Sequence, residues 1–331
     1  MFNNELIRIL SITALLVWVC VETKSVNAQQ ADTGTEGNSG ALEEIIVTAQ
    51  KYRQDLQKTP AAVSLVNGEE LTVRGVEDIR QATLLFPSVR FGEVATTTHL
   101  YIRGIGAEQD RASISPLSSM TLNGVYVPRE IQSMPLFDLQ NLQVLPGPQS
   151  TLYGTSAAGG AVLLTANEAS FNPEASGTVE IGRFRAARVN AVKGGPVTDK
   201  LAVRVAADYS TSDGYYSSDA NALDQWSARV SALWTPSDTF NIKLWSHYYH
   251  VDGKAADFIV LTGNRVFANP RNPWDDSTCV NTVLGVPAGA RCPTNPFNLG
   301  DPRQNLTAVL AGADLIWKLP AATVTLTPRH R

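Results

Sequence analysis

The sequence predicts an α+β domain followed by antiparallel transmembrane β-barrel strands, with the barrel incomplete. Glycines separate short apolar runs over residues 52–171, a pattern typical of small strands and tight turns. After about Gly177, apolar and polar residues alternate with a period of two, which predicts strands with one apolar and one polar face. Tight turns and long loops alternate between these strands, as they do in outer-membrane barrels.

The composition narrows the class of protein. The 331 residues carry 27 basic and 31 acidic side chains, and the resulting net charge of −4 argues against nucleic acid as a partner. Three cysteines are too few for a disulfide-dense scaffold. His247 and His250 are three apart, which on a strand places them on opposite faces and disfavours a shared metal site. No nucleophile, base and orienting residue occur together, so the sequence predicts neither an enzyme nor a cofactor.

Residues 1–28 have the order of a secretory signal peptide. Arg8 precedes an apolar run from Ile9 to Val21, and small or apolar residues at Val26 and Ala28 mark a cleavage site. The run is too short for a comfortable membrane span, so an anchoring helix is the less favoured alternative. We therefore expect an exported protein that is cleaved after Ala28.

Residues 29–51 are predicted to be a flexible arm that ends in a β-prone segment. Gln29–Gly40 is polar and rich in small residues, a composition that cannot bury enough surface to fold, and Glu43–Ala49 is β-prone. In the domain of residues 52–171, Asn67 is placed as a helix N-cap. Apolar residues at near-helical spacing predict a further helix over Val76–Leu85.

The alternating strands belong to the third region, residues 172–331. The clearest segments are Leu201–Tyr209, Trp226–Trp234, Phe240–Tyr248 and Thr307–Trp317. A soluble sandwich has the same alternation and stays open as an alternative. Aromatic residues at strand ends favour a membrane barrel, because barrels place aromatic girdles at both membrane interfaces. These residues are Tyr209, Trp226, Trp234, Tyr248 and Trp317.

Four motifs then occur in order along the chain. They are Glu44–Lys51, Tyr101–Gly106, Leu122–Val127, and Val144–Gly154 leading into Gly159–Val162. Any one of them alone is weak. Together, after a signal peptide and before barrel-like strands, they resemble the TonB box and plug signatures of the TonB-dependent outer-membrane receptors. The resemblance covers essentially the whole mature chain.

The resemblance implies a plug domain inside a barrel of about 22 strands in the cell outer membrane. Such receptors import a scarce extracellular ligand with inner-membrane energy delivered by TonB and its energising complex. The default ligand is a ferric siderophore, while vitamins, saccharides and aromatic compounds stay open. The expected partners are therefore TonB, the ligand and outer-membrane lipid. A β-prone segment on a flexible arm suits TonB binding, because it can add a strand to the edge of a partner's sheet.

The site residues are implied by the same resemblance. The TonB-binding residues are Glu44, Ile45, Ile46, Val47, Thr48 and Ala49. The plug signature residues are Arg103, Gly104, Asn123, Gly124, Gly147, Pro148, Tyr153, Gly154, Gly159 and Gly160.

Three positions depart from the family pattern. Gln143 and Pro146 stand where the family usually has Glu and Arg, and Asn123 stands where it usually has Asp. In the family those charges look like part of the lock between plug and barrel wall. Their absence here raises the question of how this plug is held and released, while Arg103 remains.

Two further expectations concern the end of the chain and its long loop. About seven strands fit after Gly177, too few for a plugged barrel, so we expect an N-terminal fragment of a receptor. The alternative function is a periplasmic binding or signalling module, or a non-functional truncated receptor. Cys279 and Cys292 lie in one long loop of an exported protein, where a disulfide is favoured over two free thiols.

Overall fold

The computed structural model describes residues 46–47, 54–55, 62–94, 97–106, 116–153, 157–214, 222–254, 266–267, 279–281, 286–290, 303–320 and 322–330. All of them lie within Ile46–Arg331, which is one compact unit of the chain. The signal peptide and most of the arm predicted above lie outside the described residues.

An α+β domain comes first. Its elements are β1 (Ile46–Val47), β2 (Gln54–Asp55), β3 (Ser64–Asn67), α1 (Gly68–Val73), α2 (Ile79–Ala82), β4 (Val89–Val94), β5 (Thr97–Ile102), β6 (Ser118–Leu122), β7 (Val125–Tyr126), a 3-10 turn (Arg129–Ile131), β8 (Leu139–Pro146), α3 (Ser150–Tyr153) and β9 (Gly160–Ala166). The central sheet has the order β3-β8-β9-β6-β7, with β6 and β9 parallel. The pairs β1–β2 and β4–β5 form separate antiparallel ribbons.

The side chains of Asn67 and Asp78 cap the N-termini of α1 and α2 and so fix where these helices begin. The Asn67 Oδ1 accepts a hydrogen bond from the Glu70 amide at 2.7 Å, which confirms the predicted N-cap. The helix expected over Val76–Leu85 is shorter, because Asp78 caps it by accepting from the Gln81 amide at 2.9 Å. Among the described residues, no helix is long and apolar enough to cross a membrane.

The core of this domain lies on the inner strands of its sheet. All five residues of β6 are buried, as are most residues of β8 and β9. Met120, Leu122, Leu142 and Leu164 are essentially inaccessible to solvent. Each such side chain contributes about 1.5–3 kcal/mol by leaving water, so these strands dominate the stability of the domain.

A second sheet, which we call the wall, follows. Its strands are β10 (Glu174–Ile181), β11 (Ala187–Thr198), β12 (Leu201–Ser212), β13 (Leu223–Ser237) and β14 (Phe240–Lys254), then β18 (Arg303–Lys318), β19 (Thr323–Leu326) and β20 (Arg329–His330). All neighbours are antiparallel. Between β14 and β18, the long loop contains a small sheet of β15 (Val266–Phe267), β16 (Cys279–Asn281) and β17 (Val286–Ala290).

The last two segments of the wall behave as one strand. β19 and β20 pair with β18 in the same register, since Leu315 lies opposite Leu326 and Ala311 opposite His330. Pro328 lies between the two segments and has no amide hydrogen to donate, so the pairing is interrupted there. The described wall thus contains seven strands, in agreement with the number expected from the alternation.

The wall has its polar face covered and its apolar face exposed. Val205, Trp226, Val230 and Leu244 are between 41% and 50% exposed. The opposite face is buried against the α+β domain and carries Arg204, Asp208, Ser227, Arg229 and His247. A soluble sandwich would bury the apolar face instead. The arrangement therefore confirms the predicted strands of a membrane barrel around an inner domain.

Aromatic pairs mark both ends of the exposed face. Trp226 stacks on Tyr248 at 4.4 Å between ring centroids, and Phe240 stacks on Trp317 at 4.6 Å. Along β13, Trp226 and Trp234 are separated by a strand length of about 26 Å, at about 3.3 Å per residue. On strands tilted by about 40° this corresponds to about 20 Å along the membrane normal, the same order as an apolar band about 25 Å tall between two aromatic girdles.

Candidate functional site

The described wall holds the α+β domain through a short segment, Leu136–Asp138, just before β8. Three arginines on three successive strands contact this segment: Arg188 on β11, Arg204 on β12 and Arg229 on β13. All three lie on the inward, polar face of the alternating strands. The segment and its three arginines are the candidate functional site.

Arg204 makes the strongest of these contacts. Its Nε donates to Asp138 Oδ2 at 2.9 Å and its Nη2 donates to Oδ1 at 2.6 Å, which is a bidentate ion pair. Its Nη1 donates to Glu174 Oε2 at 2.6 Å. Gly194 lies opposite Arg204 on β11, and an added Cβ there would lie 3.3 Å from Arg204 Cγ, a tight contact.

Arg229 holds the backbone of the same segment. Its Nη1 donates to the carbonyl oxygens of Phe137 and Asp138, both at 3.1 Å. Its guanidinium carbon also lies 4.7 Å from the centroid of the Phe137 ring, within cation–π range. Phe137 packs against Val192 and Ala206 on the wall. This residue of the segment is therefore fixed by both polar and apolar contacts.

Arg188 joins the segment to two acidic groups. Its Nη2 donates to the Leu136 carbonyl at 3.2 Å, and its Nε donates to Asp208 at 2.8 Å. Its Nη1 lies 3.6 Å from Glu77 Oε2 in the domain. Burial and a side-chain hydrogen bond with Glu180 raise the pKa of Glu77 to about 7, and the charge of Arg188 opposes this shift.

A separate polar contact lies at the β6–β7 turn. Arg329 Nε donates to the Asn123 carbonyl at 3.2 Å, and Arg329 Nη2 donates to Asp314 Oδ1 at 2.6 Å. An added Cβ at Gly312 would lie 2.7 Å from Trp245 Nε1 and 2.8 Å from Arg329 Cδ. Glycine is therefore needed at 312 to admit both side chains.

A cavity of about 460 Å³ separates this turn from the wall. Its lining includes three wall cations, Arg229, Lys243 and Arg329, and two carboxylates, Glu168 and Asp314. Lys243 pairs with Glu168 and Arg329 pairs with Asp314. Glu168 follows β9 of the domain and Asp314 lies on β18 of the wall, so of these two pairs Lys243–Glu168 joins the domain to the wall.

The contact with β14 and β18 is apolar instead. Trp245, Tyr249 and Val251 of β14 and Leu310 of β18 join the hydrophobic core of the domain. Each is at most 8% exposed. The wall therefore holds the domain mainly by arginine contacts along β11–β13 and mainly by apolar packing along β14 and β18, where Lys243–Glu168 adds an ion pair.

Comparison with known proteins places this architecture. Residues 55–161 match the TonB-dependent Receptor Plug Domain family. This chain carries the plug domain of the TonB-dependent receptors. The match covers most of the sheet of the α+β domain, so we refer to that domain as the plug from here on.

Relatives and solved structures agree with the match. The chain is 30% identical over 174 residues to the iron-regulated outer membrane virulence protein of Vibrio cholerae, covering 49% of this chain and 27% of that protein. It is 25% identical over 228 residues to the ferrioxamine receptor of Yersinia enterocolitica, covering 68% and 31%. The chain thus spans about a third or less of the length of these relatives.

Two receptor structures share the fold. The ferripyoverdine receptor of Pseudomonas aeruginosa superposes with a TM-score of 0.65 at 12% identity, covering 86% of this chain and 36% of that one. The ferric yersiniabactin uptake receptor FyuA of Yersinia pestis gives 0.60 at 17% identity, covering 78% and 39%. The receptor family of the plug match and the receptor names of curated relatives support a non-enzyme family in general.

The plug signature residues shape the backbone of the plug. Gly104, Gly124, Gly147 and Gly160 all have positive φ, and an added Cβ at Gly160 would lie 2.5 Å from the Leu145 carbonyl oxygen. Arg103 is exposed and also has positive φ, at 53°. Pro148 is exposed, Gly159 precedes β9, and burial raises the pKa of Tyr153 to about 12. Gly154 lies outside the described residues. Their functional roles remain predictions.

The structure describes only Ile46 and Val47 of the six predicted TonB-binding residues. They form β1, in which Ile46 pairs with Asp55 and Val47 with Gln54 of β2. Glu44, Ile45, Thr48 and Ala49 lie outside the described residues. Cys279 is on β16 while Cys292 is not described, so their disulfide also stays a prediction.

The positions that depart from the family pattern have their own contacts. Gln143 is buried, and its Nε2 donates to Asn141 within β8 at 2.8 Å. The Asn123 Oδ1 accepts from the Ala166 amide at 2.9 Å, which ties the β6–β7 turn to β9. The sequence analysis did not single out the residues that join the plug to the wall: Asp138, Arg188, Arg204 and Arg229. The position of the three arginines on the polar face of the alternating strands is the sequence signal that could have identified them.

Proposed function

We propose that this chain is part of an outer-membrane receptor that imports a scarce extracellular ligand, with a ferric siderophore as the best-supported class. Relatives of the chain are named as receptors for ferrioxamine and as a ferrichrome transporter. Import is driven through TonB, because the plug family is defined by dependence on that partner.

The observation that carries this proposal is that the wall exposes its apolar face and buries its polar face, which is the reverse of a soluble protein. Exposed apolar side chains with aromatic pairs at both ends suit lipid, and the buried polar face suits a lumen that holds a plug. A periplasmic signalling module has no need of such a band. The short turns, such as the one between β11 and β12, face the periplasm in this proposal and the long loops face outward.

Residues Glu44–Ala49 are proposed as the TonB contact. Two of them already adopt strand conformation in β1, which supports strand addition to a sheet edge of TonB. The segment precedes β3, the strand through which the arm enters the plug sheet. Force applied to the arm therefore reaches the plug at β3 and then β8, its hydrogen-bonded neighbour.

Growth under iron limitation tests the proposal. A strain lacking the gene is expected to lose growth on one ferric siderophore of a panel that includes ferrioxamine B and ferrichrome. Growth returns when the gene is restored, and uptake of radiolabelled iron from the same siderophore follows it. Equal growth and uptake of both strains on every siderophore would reject the siderophore class, and a parallel test with vitamin B12 separates another ligand from no transport at all.

A further inference from the structure

The plug contacts the wall in two chemically different ways, and the two kinds of contact lie on different strands of the wall. Apolar side chains on β14 and β18 join the plug core, whereas arginines on β11–β13 grip the segment Leu136–Asp138. Apolar packing tolerates small sliding movements, because it has no directional bonds. A bidentate ion pair is geometrically exact and is either formed or broken.

Asp138 is the residue on which the polar contact converges. Its carboxylate accepts from Arg204 and from Asn167 Nδ2, while its carbonyl accepts from Arg229 and from the Asn167 amide. Its backbone has a φ of 49°, which a residue with a side chain rarely adopts. Such a conformation persists where surrounding contacts determine it. The side chain of Asp138 is 3% exposed and that of Arg204 is 9% exposed, so the pair is shielded from water and salt.

The topology connects this pair to the arm. Asp138 directly precedes β8, and β8 is hydrogen-bonded to β3, with Asn67 opposite Asn141. β3 is the first strand of the central sheet after the arm. A pull on the arm therefore acts one strand away from the Asp138–Arg204 pair.

We infer that Leu136–Asp138 is the latch that holds this plug closed, and that the Asp138–Arg204 ion pair is the bond whose rupture frees the plug from β11–β13. The plug then remains attached to the wall through its apolar contact with β14 and β18. This inference rests on the proposed function as a receptor.

Two cysteine reporters on the wall separate local release from general loosening. Ala206→Cys places a thiol under Phe137 on the latch side, at a position that is 1% exposed. Leu310→Cys places one against the plug core on the β18 side, at a position that is 2% exposed. Each is introduced into the chromosomal gene, and maleimide labelling of the corresponding peptide in native outer membranes is followed by mass spectrometry.

With Asp138→Asn, labelling at position 206 is expected to rise about tenfold or more, because one partner of a buried ion pair is lost. Labelling at position 310 is expected to stay unchanged. Lys243→Gln is the matched control: it removes another plug–wall ion pair, with Glu168, whose side chains are 27% and 48% exposed, and it should change neither rate.

Equal rises at both positions, or no rise at position 206, would overturn the latch. Asp138→Glu, which keeps the charge, should restore part of the protection at 206. Should Asp138→Asn fail to reach the outer membrane, Arg204→Lys and Arg188→Gln are scored with the same two reporters and by the same criteria. Labelling needs neither ligand nor TonB, so failure of the proposed import leaves this result readable.

Discussion

At the scale of single residues, the plug–wall contact depends on the hydrogen-bond acceptors of each arginine. Arg204 donates to two carboxylates, Arg188 donates to a carboxylate and a backbone carbonyl, and Arg229 donates to two backbone carbonyls. An arginine presents five donors in a fixed plane, so it can satisfy a carbonyl and a carboxylate together. A lysine would reach one acceptor as a point charge. The three positions are therefore specific for arginine rather than for positive charge.

Glu77 makes this contact sensitive to pH. Its pKa is raised to about 7, so the folded protein binds a proton that the unfolded chain releases at about 4.5. The folded state holds more protons between these values, and stability therefore falls as pH rises through that window. Glu77→Gln should raise the thermal midpoint of the purified receptor above pH 7 and leave it unchanged below pH 4.5.

The size of the Glu77 effect is limited by its exposure. The side chain is 38% exposed, so solvent screening keeps the gain to about 1 kcal/mol or less. Circular dichroism melts between pH 4 and 9 measure it. Asp238→Asn, in the exposed turn after β13, is the control and should follow the wild-type profile. A Glu77→Gln profile parallel to wild type would contradict the assignment.

At the scale of elements, the wall strands are specified by which face meets lipid. Val230 lies midway along β13 and is 47% exposed on the apolar face, whereas Val197 lies at the end of β11 next to a tight turn. Val230→Arg should destabilise the inserted receptor by about 2–4 kcal/mol, and Val197→Arg by about 1 kcal/mol or less. The fraction that is heat-modifiable on gels reports insertion. Equal losses for the two variants would mean that the exposed face does not lie in lipid.

The arm offers a second prediction at this scale. Val47→Pro removes an amide donor from the proposed TonB-binding strand and should abolish ligand uptake. Binding of the same ligand at the cell surface should be unchanged, because the plug and wall are untouched. Val63→Ala, in the plug just before β3, serves as a control that keeps every backbone donor. Undiminished uptake by the Val47→Pro receptor would remove this segment from the mechanism.

At the scale of the whole molecule, the plug is suited to water, whereas the exposed face of the wall is suited to lipid. The plug builds most of its core from its own strands β6, β8 and β9, with side chains added from β14 and β18, whereas the described wall exposes an apolar face and an unpaired edge at β10. Residues 29–171 exported alone should accumulate as soluble periplasmic protein. Residues 29–331 exported in the same way should aggregate or be degraded. Sedimentation and immunoblotting compare the two, and a soluble longer chain would contradict the assignment of the apolar face to lipid.

The predictions that succeeded from sequence rest on local patterns. Alternation in Leu201–Tyr209 sets which side chains share a face, because strand geometry alone requires it. The cap at Asn67 follows from residues within one turn, and the plug motifs are contiguous. The helix expected over Val76–Leu85 was too long because Asp78 competes for the helix start, a local effect that the apolar spacing does not contain.

The sequence by itself determined the faces of the strands and the resemblance of the plug motifs to their family. Only the tertiary structure decided which polar residues meet. Asp138 and Arg204 are 66 positions apart, and their pairing depends on the register of β11 to β13 and on how the plug sits against them. No local pattern encodes that relation, because each partner alone is an ordinary charged residue. The latch is therefore a property of the assembled wall and plug, although every residue in it was visible in the sequence.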